Sequence, residues 1–216
     1  MKKLWLTALA VLALLPAVLS AKTDYTEGKQ YVRVPAAAVI KTEGPVLTEY
    51  FSFYCGGCYN FERYLAELLP KLDKNIRFEK SHVDFMQHAP AEIQQALSRA
   101  YLVAKAAGRA EEGAKMIFDY IHQSRASFAN ETDIRNLFVM NNFDGAAFDK
   151  QFVSMPVLAG AMQMKQNQEL LSKHEMLHSV PTLIVNGQFK INVSELDQAD
   201  PITDLAHLIQ YLSTLK

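Results

Sequence analysis

Residues 84–179 carry no strand signal of any strength, whereas β-type runs crowd the stretches on either side. Before this segment, residues 31–34, 46–53 and 76–83 read as strands, and after it residues 182–185 and 189–193 do. Neither group has enough strands to bury both faces of a sheet alone, so the two groups belong together. The intervening segment shows apolar residues at steps of three and four over 91–107, 111–123, 131–140, 145–153 and 159–177, the pattern of helices. The expected fold is therefore α/β, with an all-helical piece inserted between two parts of one sheet. Asn186-Gly187 separates the last two strands and is a strong hairpin signal. Asp200 followed by Pro201 caps a final helix that runs to about residue 215.

The 216-residue chain has two cysteines, Cys55 and Cys58. A disulfide closing so short a loop stabilises by roughly 2 kcal/mol in chain-entropy terms, about half the value for a 100-residue loop. The pair is better explained as reactive than as structural. It follows the 46–53 strand and opens a helical pattern formed by Phe61, Leu65, Leu68 and Leu69. Cys-x-x-Cys in that position is a thioredoxin-type redox motif. A helix N-terminus has unpaired N–H groups and about half a positive charge, which favour a thiolate. Cys55 is expected to exchange with a partner, and Cys58, one turn further in, to resolve the mixed disulfide. Half a zinc site is the competing reading, but the remaining cysteine ligands are missing. The histidines 82, 88, 122, 174, 178 and 207 are scattered, with only His174 and His178 placed to share a helix face. No metal and no cofactor are expected.

Glu49 stands in an otherwise apolar strand six residues before Cys55. Either it turns to solvent at the strand edge, or it is a buried acid of raised pKa that moves protons for Cys58. Pro181 precedes the 182–185 strand, where a proline is tolerated. Its peptide bond is either an ordinary trans bond or a cis bond that would leave the Val180 backbone free to pair with an extended peptide.

The formal net charge is −1, which gives no electrostatic argument for a nucleic-acid partner. Lys2 and Lys3, an apolar run over residues 4–15, Pro16 and the small residues Ser20 and Ala21 have the layout of a secretory signal peptide. Cleavage is expected after Ser20 or Ala21. A retained anchor is the alternative, but the apolar run is short of the ~20 residues that span a bilayer.

The segment Phe51-Ser52-Phe53-Tyr54-Cys55-Gly56-Gly57-Cys58-Tyr59-Asn60-Phe61-Glu62 resembles the active-site segment of the DsbA family of periplasmic disulfide oxidases. Three further stretches resemble the same family in the same order. They are Glu27-Gly28-Lys29-Gln30, Ser81-His82-Val83-Asp84-Phe85-Met86 and Val180-Pro181-Thr182-Leu183-Ile184-Val185-Asn186-Gly187. The resemblance implies a thioredoxin fold formed by residues 22–84 and 170–216, with a helical insertion at 85–169 after a signal peptide at 1–21. It implies a monomer that donates disulfides to reduced exported proteins and is reoxidised by a DsbB-like membrane quinone reductase; a reductase or isomerase of the same fold, or a chaperone-like binding module, is the alternative. Carried over by position, Cys55 is the nucleophile, Cys58 the resolving thiol, and Val180 with a cis Pro181 the substrate-binding edge. Glu49, Glu62 and Lys80 match the charged residues near the pair; for Glu62 and Lys80 a plain solvated surface role is the alternative. One departure is plain. Typical members have a proline and a histidine where this chain has Gly56 and Gly57. The expected consequence is a higher Cys55 pKa and a less oxidising disulfide.

Overall fold

The computed structural model describes residues 25–87 and 89–215. The expected signal peptide, both candidate cleavage positions and His88 lie outside them. Five strands form one sheet: β1 (Tyr31–Arg33), β2 (Val46–Phe51), β3 (Arg77–His82), β4 (Thr182–Val185) and β5 (Phe189–Ile191). Their spatial order is β1-β5-β4-β2-β3, so the N-terminal and C-terminal groups interleave. Only β2 and β3 run parallel; the other neighbours are antiparallel. A parallel pair needs a crossover, and α1 (Gly56–Leu68) supplies it. Pro70 lies in the short 3-10 turn that ends this crossover helix.

The expected strands and helices are present, with shifted ends. The β4–β5 hairpin turns through Asn186 and Gly187, at φ 53° and 63°, the positive-φ pair at the centre of a primed β-turn that Gln188 N–H closes on the Val185 carbonyl. A side chain at position 187 would put its Cβ 1.9 Å from the Ile40 carbonyl oxygen, so only glycine fits. Five helices lie between β3 and β4: α2 (Ala91–Ala106), α3 (Ala110–His122), α4 (Glu131–Met140), α5 (Gly145–Phe152) and α6 (Met155–Lys173). α6 begins earlier than its periodicity suggests, because Pro156 in the first turn gives up an N–H that has no helical partner there. It also ends earlier, before Glu175 takes a φ of 63°. His174 is its C-cap and His178 lies beyond it, so these two histidines do not share a helix face. The segment boundary expected at 169/170 falls inside this continuous helix.

The alternation of β2 divides the core. Leu47 packs with Leu65, Leu68, Leu183, Val185, Leu208 and Leu212, beneath α1 and α7 (Pro201–Thr214). Tyr50 and Ile184 pack on the other side with Leu171 from the last turn of α6. Phe51 and Phe53 join Leu97, Tyr101, Ile117 and Phe118, so the helical core runs without a break up to Cys55 and Cys58. No helix among the described residues is long and apolar enough to cross a membrane.

Candidate active site

β2 delivers the chain to the cysteines through a tight turn in which Cys55 N–H donates to the Ser52 carbonyl at 3.1 Å. Cys55 then caps α1. Its backbone is extended (φ −94°, ψ 109°), and its Sγ accepts from the Cys58 N–H at 3.0 Å. That is an N-cap made by sulfur in place of oxygen, and it favours a negative charge there. No acidic residue lies in the first turn of α1 to oppose this. Cys55 and Cys58 are disulfide-bonded, with Cα atoms 5.2 Å apart. Cys55 keeps 6% of its surface exposed and Cys58 none, so only the first sulfur is placed for attack by a partner.

The Val180–Pro181 bond is cis, which excludes the ordinary trans proline. The Val180 carbonyl oxygen lies 3.3 Å from Cys55 Sγ, within reach of a hydrogen bond once Cys55 is a thiol. A Cβ built on Gly57 would stand 3.7 Å from both Cys55 Sγ and the Pro181 ring. The chain segment 180–181 thus forms one wall of the cysteine site.

Glu49 is fully buried, which excludes the solvent-facing strand edge. Glu49 and Lys80 are register partners on β2 and β3, so their side chains leave the same face. Lys80 Nζ donates to Glu49 Oε2 and to Glu62 Oε1, each at 2.5 Å. Glu62 is on α1, one turn beyond Cys58. Lys80 is itself buried and Glu62 about one-third exposed, so a surface role is excluded for the lysine. Burial outweighs the attraction of Lys80 and raises the Glu49 pKa from 4.5 to about 7. Its Oε1 has no partner. Glu62 and Lys80 line a groove of about 860 Å³ between α1 and helices α2 and α3.

Residues 46–210 match the family model described as the DSBA-like thioredoxin domain. DsbA of Escherichia coli K12, a thiol:disulfide interchange protein, is 30% identical over 224 residues, covering all of both chains. The chain belongs to the DsbA family. The Haemophilus influenzae DsbA is 29% identical over 215 residues, covering 98% of each chain. Among solved structures, Klebsiella pneumoniae DsbA is similar with a TM-score of 0.75 at 26% identity, over 89% of this chain and 99% of that one. Proteus mirabilis DsbA gives a TM-score of 0.76 at 22% identity, over 89% of this chain and all of that one. The fold is thus the DsbA-type thioredoxin fold with its helical insert, and the activity is thiol:disulfide interchange at a redox cysteine pair.

Two histidines of this DsbA-type site have no evident role in the sequence. His82, at the end of β3, is fully buried and stacks on Phe53 at 4.9 Å. Its Nδ1 lies 2.8 Å from Ser98 Oγ, and its Nε2 has no partner. Burial lowers its pKa to about 3. His122, the last residue of α3, contacts the Phe53 carbonyl at 2.8 Å. The alternation of β3 points His82 to the same face as Lys80, which was a readable signal. For His122 the sequence holds none beyond its place at a helix end.

Proposed function

We propose that this chain works as an oxidase, passing the Cys55–Cys58 disulfide to reduced exported proteins. The observation that supports it best is the sulfur N-cap: the one sulfur of the pair that keeps any exposed surface is the one whose anion the helix stabilises. A client thiolate attacks Cys55 Sγ, the Cys55–Cys58 bond breaks, and Cys58 leaves as a thiolate and takes up a proton. A second client thiolate then attacks the client sulfur of the mixed disulfide. Cys55 leaves as a thiolate. The client loses two electrons and gains a disulfide; the enzyme is left as the dithiol. Reoxidation falls to a DsbB-like membrane quinone reductase, with the electrons passing to quinone.

Glu49, with a pKa at about 7, serves as the proton donor and acceptor for Cys58, and Lys80 and Glu62 link it to the groove. Val180 and Pro181 offer the backbone edge on which an extended client lies. The Proteus mirabilis DsbA structure holds a non-covalently bound peptide, PWATCDS, and a cysteine-bearing peptide of this kind is the corresponding probe here. Gly56 and Gly57 tune the potential by providing no side-chain donor. The protein works in the periplasm as a monomer, after removal of residues 1–20 or 1–21.

Gly56-Gly57 also favours a second reading, reduction rather than oxidation, because an unassisted thiolate makes a less oxidising pair. Equilibration with glutathione, oxidation of a reduced substrate and reduction of insulin decide the direction. Oxidation without insulin reduction is the expected result; efficient insulin reduction would overturn it. Cys58→Ala should accumulate mixed disulfides through Cys55, and their absence would overturn the assigned roles.

A further inference from the structure

The peptide unit joining Phe53 to Tyr54 is held at both ends by side chains. Its N–H donates to Ser52 Oγ at 3.2 Å. Its carbonyl is 2.8 Å from His122 Nε2. A carbonyl only accepts, so Nε2 carries the proton and donates. This unit ends at Tyr54, the residue before Cys55. On the far side of the pair, the His122 ring stacks on Tyr59 at 5.0 Å and 13°. Gln123 Nε2 donates to the Tyr59 hydroxyl at 2.7 Å. The Tyr59 N–H in turn donates to the Cys55 carbonyl at 3.0 Å. The end of α3 therefore grips the active-site segment immediately before Cys55 and immediately after Cys58. Between them Gly56 and Gly57 have no side chain with which to hold the turn, and a Cβ at Gly56 would touch nothing within 4 Å.

We propose that His122 is a positioning residue for the Cys55 thiolate, acting from the helical insertion through the Phe53–Tyr54 peptide. This rests on the reading of Cys55 as the reactive thiolate. The grip matters unequally in the two redox states. In the disulfide form the covalent bond itself holds Cys55 against the first turn of α1. In the dithiol form only non-covalent contacts keep Cys55 Sγ at the Cys58 N–H. Losing the His122 bond therefore weakens the dithiol more than the disulfide. The Cys55 pKa rises, and the disulfide becomes less oxidising.

The test uses the mature protein with His122→Leu, which removes the donor, and His122→Gln, which keeps an N–H donor. Ser52→Ala removes the bond at the other end of the same peptide unit and serves if His122→Leu does not fold. The equilibrium read is disulfide protein plus two glutathione giving dithiol protein plus glutathione disulfide, together with the Cys55 thiolate titration followed by ultraviolet absorbance. His122→Leu and Ser52→Ala should each shift the equilibrium toward the protein disulfide by about three- to tenfold, the range of one neutral hydrogen bond. A tenfold shift is about 30 mV. His122→Gln should stay within about twofold of the parent. Parental values in the two disrupted variants would overturn the proposal. So would a His122→Gln shift as large as that of His122→Leu, which would assign the effect to the ring stack. Both quantities are measured on the isolated protein, so they hold whichever direction the enzyme runs with its clients.

Discussion

Glu49→Gln should remove a distinct component from the pH dependence of stability. The unfolded chain releases the Glu49 proton near 4.5, whereas the folded chain keeps it to about 7. Between those values the folded state binds more protons, so stability from this group is fully present below 4.5 and is lost as pH rises through about 7. At about 1.4 kcal/mol per pH unit across that window, the loss is roughly 3 kcal/mol. His82 works the other way. Unfolded it takes a proton near 6.5, and folded it stays neutral to about 3. Its stability is present above 6.5 and is lost on acidification. The two groups oppose each other between 4.5 and 6.5, so the parent should change little there. Glu49→Gln has no such compensation, and its stability should fall as soon as the pH drops below 6.5. Urea unfolding of the oxidised proteins at pH 4, 6 and 8 is the assay. Subtracting the two profiles isolates Glu49, because every other group titrates in both. A difference of roughly 3 kcal/mol opening between pH 4 and 8 is expected. Parallel profiles would refute the claim that burial overrides Lys80.

Lys80→Met leaves both Glu49 oxygens without a partner, so the Glu49 pKa should climb further. The infrared band of the protonated carboxyl should then persist at pH 8, where the parent has largely lost it. Gly57→His should fit, since a Cβ there meets only ordinary contacts at 3.7 Å; a cation beside Cys55 should lower its pKa and make the pair more oxidising, read by glutathione equilibration. Gly187→Ala combines a clash with the Ile40 carbonyl and a positive φ, and should cost at least about 2 kcal/mol in urea unfolding.

The parts legible in the sequence are those decided by local chemistry. The hairpin followed from Asn186-Gly187, the last helix from Asp200-Pro201, and the cysteine N-cap from a strand meeting a helix. The helical segment followed from periodicity, but the end of α6 did not, because the left-handed turn at Glu175 uses a residue that does not advertise one. Glu49 was visible as an anomaly in an apolar strand. Its partners Lys80 and Glu62 came only through the family resemblance, since local patterning does not say which residue of β3 stands opposite in a parallel pair, and register across a crossover is a long-range property.

His122 shows the same limit more sharply. Local sequence ties Cys55 to α1 and to β2, and nothing local ties it to a residue 67 positions away at the end of α3. The contact exists because Phe118, on the same helix, packs against Phe51 and Phe53 in a core shared by the insertion and the sheet. That shared core fixes where α3 ends, and so brings the imidazole to the Phe53 carbonyl. The insertion is therefore joined to the redox site by packing as well as by chain connectivity. A substitution in its core that tilts α3, such as Phe118→Ala, is expected to alter the cysteine chemistry without touching either cysteine.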